Sequence, residues 1–160
     1  MLRAALVPAA PPALEIGAGP GRWAAALGLM VMEPALPLAR LARARGCPTV
    51  VARAEQLPLR DGCLATAALL TVLEFVSDPA AVAGELRRVV RPGGTLLLAL
   101  LPRVTRTVRR GRLLRLARPL SAFRVRELLT DNWCRHRRSG YRVTDGTLLP
   151  VRGRGDWEVQ

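Results

Sequence analysis

Glu15 and the three glycines that follow at alternate positions, Gly17, Gly19 and Gly21, are the residues of this chain best suited to hold a ligand. Glycine lets the backbone turn sharply and brings a ligand close to main-chain N–H groups with no Cβ in the way. Sites built for a pyrophosphate space their glycines as GxGxxG or GxxxxGK[ST]. Here the spacing is GxGxG, no Lys follows, and a carboxylate stands two positions before the first glycine. That carboxylate would repel a pyrophosphate and welcome an ammonium or another cationic group. A structural strand–turn–helix corner is the alternative.

Two more acids, Glu33 and Glu55, follow apolar runs in the same way. Glu33 falls where a carboxylate can accept from both hydroxyls of a ribose, and Glu55 can accept from an adenine amino group. The alternative for each is a cap on the next helix. Glu74 and His136, the sole histidine, are the candidates for a general base, with a plain surface role as the alternative. The cysteines, Cys47, Cys63 and Cys134, are odd in number and widely spaced, with no CxxC pair. That argues against a disulfide framework and against a metal site, and fits a reducing cytoplasm.

The elements that must position these residues can be read in order. An apolar strand from residue 13 runs into the glycine turn, and a short helix over 23–27 stops at Gly28. Residues 29–32 form a continuous apolar run, the pattern of a strand buried on both faces. Pro34 opens a helix with Leu38, Leu41 and Ala42 on one face and Gly46 as its stop. Strands follow over 49–52 and 67–71. Asp78 caps a helix with Pro79 at its first position and Val82, Leu86, Val89 and Val90 on one stripe. Pro92-Gly93-Gly94 breaks that helix, and residues 95–101 are again strand. Such alternation implies βαβ units: a Rossmann-like α/β fold with a mostly parallel twisted sheet and helices on both faces. Ligands bind such sheets beyond the carboxyl ends of the strands, at the switch point. Further on, a helix is expected over 121–130. A hairpin of 133–137 with 141–143, joined at Ser139-Gly140, would complete the sheet. One domain over 1–150 and a loose tail over 151–160 result, with a core over 13–101 and a variable acceptor-side segment over 102–120.

Five stretches follow one another along this frame: Glu15-Ile16-Gly17-Ala18-Gly19-Pro20-Gly21; the acid Glu33; Ala54-Glu55-Gln56-Leu57-Pro58-Leu59-Arg60-Asp61-Gly62; Leu73-Glu74-Phe75-Val76-Ser77-Asp78-Pro79; and Glu85-Leu86-Arg87-Arg88-Val89-Val90-Arg91-Pro92-Gly93-Gly94. In order and spacing the series resembles the class I S-adenosylmethionine (SAM)-dependent methyltransferases, in the methyltransferase-domain 11 type group of small-molecule enzymes that includes quinone biosynthesis. The resemblance implies SAM as cofactor and S-adenosylhomocysteine as product. It implies that Glu15, Gly17, Ala18 and Gly19 hold the methionine end and that Glu33 takes the ribose. Ala54 and Glu55 would meet the adenine edge, and Thr71 would line the pocket near the methyl group. No catalytic residue is implied. Members usually carry a Ser-Phe-Asp pattern after the Asp-Gly turn, where this chain has Cys63-Leu64-Ala65. They also carry one or two covering helices before the first strand, where this chain offers only about 12 Pro- and Ala-rich residues. The expectation is an open cleft with weak cofactor binding, covered by a second copy or another subunit, or else a natural start upstream of Met1.

Composition bounds the alternatives. At 160 residues and 50% hydrophobic the chain can build one real core, and no apolar run is long enough to span a membrane. A signal peptide is not expected, because cleavage after residue 12 would cut into the fold. All 25 basic residues are Arg, which reads as coding bias. Residues 1–102 hold 10 Arg against 7 acids, and residues 103–160 hold 15 against 5, so the basic surplus belongs to the C-terminal third. An Arg-rich nucleic-acid-binding or RNA-modifying protein is therefore an alternative, although the Arg run over 103–118 has no interleaved aromatics for stacking. A SAM-binding protein with little turnover is another.

Overall fold

Ala13–Ile16, buried throughout, form strand β1. The glycine turn leads into helix α1 (Arg22–Leu27), which ends at Gly28 in a left-handed conformation, φ 68°. Strand β2 (Met30–Met32) follows, then helix α2 (Leu36–Ala44) and the two-residue strand β3 (Thr49–Val50). Strand β4 (Leu64–Leu70), helix α3 (Pro79–Val89) and strand β5 (Val90–Ala99) complete the series. These elements come from a computed structural model that describes residues 11–100, 127–128, 140–144 and 147–151.

All four strand pairings are parallel, in the order β3-β2-β1-β4-β5. The chain winds outward from β1 to β3, jumps back to place β4 on the other side of β1, and winds outward again to β5. The switch point therefore lies between β1 and β4, at their carboxyl ends. The expected Rossmann-like parallel sheet is present. β4 is central and buried on both faces as far as Leu69, which accounts for its run of apolar and small residues. β5 is half-buried along Leu96–Leu98.

Helix α3 has the expected start and stripe but ends at Val89: Val90, expected on the stripe, and Pro92-Gly93-Gly94, expected as a break, already belong to β5. The Asp78 carboxylate accepts from the N–H groups of Ala80 and Ala81 at 2.9 and 3.1 Å, and Val82, Ala83, Leu86 and Val89 are buried. In α2 the expected face holds at Ala42 and fails at its two leucines. Ala39 and Ala42 are buried, whereas Leu38 and Leu41 are 37% and 47% exposed. The reason is close approach: a Cβ built on Gly21 would lie 2.8 Å from the Ala42 Cβ, which leaves room for alanines against the turn but not for leucines.

The chain separates into two units, residues 1–128 and 129–160. Of the second, the antiparallel hairpin of β6 (Gly140–Thr144) and β7 (Thr147–Val151) is described. It forms a two-stranded antiparallel sheet. β6 contains the expected strand 141–143, but its described partner follows it. Thr144 pairs with Thr147, and the two residues between them in sequence, Asp145-Gly146, are a strong hairpin dipeptide. The strand expected at 133–137, the Arg-rich 103–118 and the tail beyond 151 lie outside the described residues. Of the helix expected over 121–130, Glu127 and Leu128 are described and helical.

Candidate functional site

The glycine turn sits at the switch point. The Gly17 and Ala18 N–H groups donate to the Met32 carbonyl at 2.8 and 3.2 Å, which ties the turn to the end of β2. Gly17, Gly19 and Gly21 all have positive φ, at 68°, 55° and 70°. Their surroundings differ. A Cβ on Gly17 would lie 2.7 Å from Val72 Cγ2 and 2.9 Å from Cγ1, while a Cβ on Gly19 would meet nothing within 4 Å. Gly17 is thus required by packing, and Gly19 presents a bare Cα to open space.

Glu33, just beyond β2, is 5% exposed and braces this turn. Its Oε2 accepts from Gly19 N–H at 2.8 Å and its Oε1 from Ala35 N–H at 2.9 Å. The carboxylate thereby joins the glycine turn to the start of α2. Ala35 is the residue just ahead of α2, and no side chain caps that helix, so Glu33 braces the turn without acting as the helix cap of the alternative reading.

Glu15 lies one residue before the end of β1 and is 2% exposed. Its Oε2 has no hydrogen-bond partner among the described residues. Burial pushes its pKa up to about 7, against a smaller opposing effect from a backbone hydrogen bond at Ala24. A buried carboxyl with an unmatched oxygen is a costly group to keep without a donor.

Ala54 and Glu55 lie on the crossover between β3 and β4. Ala54 is buried, and Glu55 Oε1 accepts from the Ser77 hydroxyl at 2.7 Å, the Ser77 N–H at 3.0 Å and the Arg53 guanidinium at 3.3 Å. Burial alone would raise the Glu55 carboxyl, but the bonds from Ser77 and Arg53 outweigh it and hold the pKa at about 2. Glu55 therefore stays ionised and ties the crossover to the segment beyond β4.

Thr71 is the first residue past β4 and has φ 58°, the one non-glycine described residue in the left-handed region. For a β-branched side chain this is a strained conformation, costing about 1–3 kcal/mol, of the kind that persists where a site needs it. Its N–H donates to the Ala99 carbonyl at 2.8 Å, and its side chain is exposed. The neighbouring Glu74 is 1% exposed and so is not the surface acid of the alternative reading. His136 lies outside the described residues. The turn of β1, the end of β2, the crossover and the first residues after β4 are thus brought to one end of the sheet. Val72 and Ser77 were not singled out from sequence; an apolar residue and a serine in a loop carry no pattern that separates them from their neighbours.

The profile of the methyltransferase-domain family matches residues 14–98. An uncharacterized protein of Methanocaldococcus jannaschii is 32% identical over 91 residues, covering 56% of this chain and 44% of that protein. One from Mycobacterium tuberculosis is 38% identical over 97 residues, covering 60% and 34%. The chain thus spans less than half the length of these relatives. Among solved structures, a SAM-dependent methyltransferase of Thermotoga maritima superposes with TM-score 0.73 at 25% identity, covering 90% of this chain and 77% of that one. The methyltransferase partner in a Haloferax volcanii complex with the Trm112 activator superposes with TM-score 0.66 at 19% identity, over 92% and 73%. No helix among the described residues is long and apolar enough to cross a membrane.

Proposed function

The chain belongs to the methyltransferase-domain family, and from that premise we propose that it binds SAM at the carboxyl ends of β1, β2 and β4 and carries methyl transfer to a small-molecule acceptor. The observation that carries this reading is the glycine turn, with the bare Gly19 Cα facing open space and a carboxyl two residues before Gly17. The residues present fit the cofactor: the unmatched Glu15 Oε2 suits the donor of an ammonium group, and Glu33 offers a second carboxylate beside the turn.

On this reading Glu15, Gly17, Ala18 and Gly19 hold the methionine end, Glu33 the ribose, Ala54 and Glu55 the adenine edge, and Thr71 lies near the methyl group. The cofactor's sulfonium supplies a methyl group that is already activated. What remains for the chain is to hold the acceptor in line and to exclude water. The Glu33 carboxylate fixes the turn against α2, and the Thr71 backbone sets the floor at the end of β4. Water exclusion calls for a cover. Trp23, Leu36, Val51 and Phe75 are 40–47% exposed at the start of α1, the start of α2 and just past β3 and β4, an apolar rim suited to one. A second copy or another subunit supplying that cover belongs to the proposal. The test is incubation with methyl-labelled SAM and a panel of small hydroxyl, amine and carbon acids. Label transfer with release of S-adenosylhomocysteine supports the reading. Cofactor binding without transfer to any acceptor favours a SAM-binding protein without turnover.

A further inference from the structure

The crossover from β3 to β4 carries no helix. Residues 51–63 must return from the carboxyl end of β3 to the amino end of β4, past β2 and β1, without a regular backbone ladder of their own. Its polar groups therefore need partners elsewhere. Three of them, the carbonyls of Leu57 and Leu59 and the Asp61 carboxylate, find theirs in one side chain, Arg88 on α3. Arg88 Nη1 donates to the Leu59 carbonyl at 2.6 Å and to Asp61 Oδ1 at 2.8 Å. Nη2 donates to the Leu57 carbonyl at 3.0 Å and to Glu85 Oε2 at 2.8 Å, and Nε donates to Glu85 Oε1 at 2.9 Å. These bonds engage all five donors of the guanidinium. Glu85 in turn accepts from the Leu57 N–H at 2.6 Å, and the Gly62 N–H donates to the Arg88 carbonyl at 2.8 Å.

The geometry is that of a clamp in which Glu85 orients the fork and the fork grips two crossover carbonyls. The Asp61 side chain is 81% exposed and adds little. At its other end the crossover is fastened by Glu55 to Ser77, a residue just ahead of α3. Glu55 is thus itself one fastening, with Ala54 beside it, on a segment with no secondary structure to hold it otherwise.

We propose that Arg88, oriented by Glu85, is a positioning residue for the cofactor: by gripping the Leu57 and Leu59 carbonyls it sets the crossover so that Ala54 and Glu55 meet the adenine end. This rests on the SAM reading above. Lysine offers three donors from a single point and cannot reproduce the five-donor fork, so Arg88→Lys keeps the charge and removes the grip. Glu85→Gln keeps the shape and weakens the orientation of the fork.

The test compares the unsubstituted chain with both variants by calorimetry, hydrogen exchange and steady-state kinetics. The ligands are S-adenosylhomocysteine and 5′-methylthioadenosine, which lacks the amino-acid end. In Arg88→Lys, amides over 53–62 should exchange faster while those of β1 and β4 keep their rates. Both ligands should lose affinity by the same factor, roughly threefold to thirtyfold. Where transfer is measurable, KM for SAM should rise with kcat retained, and Glu85→Gln should shift the same quantities by less. Faster crossover exchange with unchanged affinity for both ligands overturns the proposal and leaves Arg88 a purely structural brace. Unchanged exchange overturns it as well. Failure of the unsubstituted chain to bind either ligand is a separate outcome, seen before any variant is compared, and overturns the SAM reading itself.

Discussion

Gly17 and Gly19 should respond differently to the same substitution, although the sequence motif treats them alike. Alanine at either position must adopt positive φ, which costs about 1–2 kcal/mol. At Gly19 nothing lies within 4 Å of the new Cβ, so that is the whole cost to folding. At Gly17 the Cβ would fall 2.7 Å and 2.9 Å from the two γ-carbons of Val72, a stiff β-branched side chain with no distant flexible end to swing aside. Overpacking of this kind adds about 1–3 kcal/mol, for a total of about 2–5 kcal/mol. At roughly 3 °C per kcal/mol for a domain of this size, Gly19→Ala should lower Tm by about 3–6 °C and Gly17→Ala by about 6–15 °C. Adding Val72→Ala should relieve the clash, so the pair should be less destabilised than the sum of the two single changes. Gly19→Ala should instead lose affinity for S-adenosylhomocysteine by about tenfold or more, because its methyl enters the space the ligand would fill. Thermal melts of the unsubstituted chain, the three single variants and the Gly17→Ala/Val72→Ala pair, with calorimetry on Gly19→Ala, decide the matter. The reasoning fails if Gly17→Ala costs no more than Gly19→Ala, or if Val72→Ala gives no relief in the Gly17→Ala background.

Three further outcomes are expected. Removing the Glu33 carboxylate in Glu33→Ala leaves the Gly19 and Ala35 N–H groups without their acceptor, so the ligand-free melt should show a loss of about 1–3 kcal/mol; S-adenosylhomocysteine affinity should fall as well, and an unchanged affinity would leave the acid a brace only. Glu15 has its pKa raised from 4.5 to about 7 by burial, so the folded state binds the extra proton and stability falls as pH rises from about 4.5 through 7. Glu15→Gln should flatten that slope, gaining up to about 3 kcal/mol above pH 7 in urea melts while weakening S-adenosylhomocysteine; a slope unchanged by the substitution contradicts the assignment. Thr71→Gly relieves the left-handed strain and should raise stability by about 1 kcal/mol. Methyl transfer should slow in the same protein, and a faster rate would mean that the threonine conformation has no part in the site.

The parts of the fold that follow from one-dimensional periodicity were legible in the sequence. The Asp78-Pro79 start of α3 and its Val82, Leu86, Val89 stripe are local patterns, and the parallel sheet follows from their alternation with apolar runs. The buried face of α2 was legible only in part. Leucine is the more hydrophobic residue, but the distance from the helix to the glycine turn decides which side chain fits, and that distance is set by Gly21 and Ala42 together. At the site, the order Glu15, Gly17, Gly19, Glu33 was readable because glycine and acid spacing survives as a pattern. The Arg88 fork was not, since its acceptors are the carbonyls of Leu57 and Leu59, and a backbone carbonyl leaves no mark on residue type. Nor does sequence separate a carboxylate that awaits a ligand from one that braces a turn, and Glu33 and Glu55 already bind backbone or side-chain donors in the fold.

Cofactor identity is the claim on which the rest depends, and one calorimetric comparison tests it. The chain is titrated at a single pH with S-adenosylhomocysteine and, separately, with NAD. The carboxyl of Glu15 beside a GxGxG turn predicts saturable binding of S-adenosylhomocysteine and none of NAD, since the acid welcomes an amino group and opposes a pyrophosphate. Binding of NAD without binding of S-adenosylhomocysteine would contradict it.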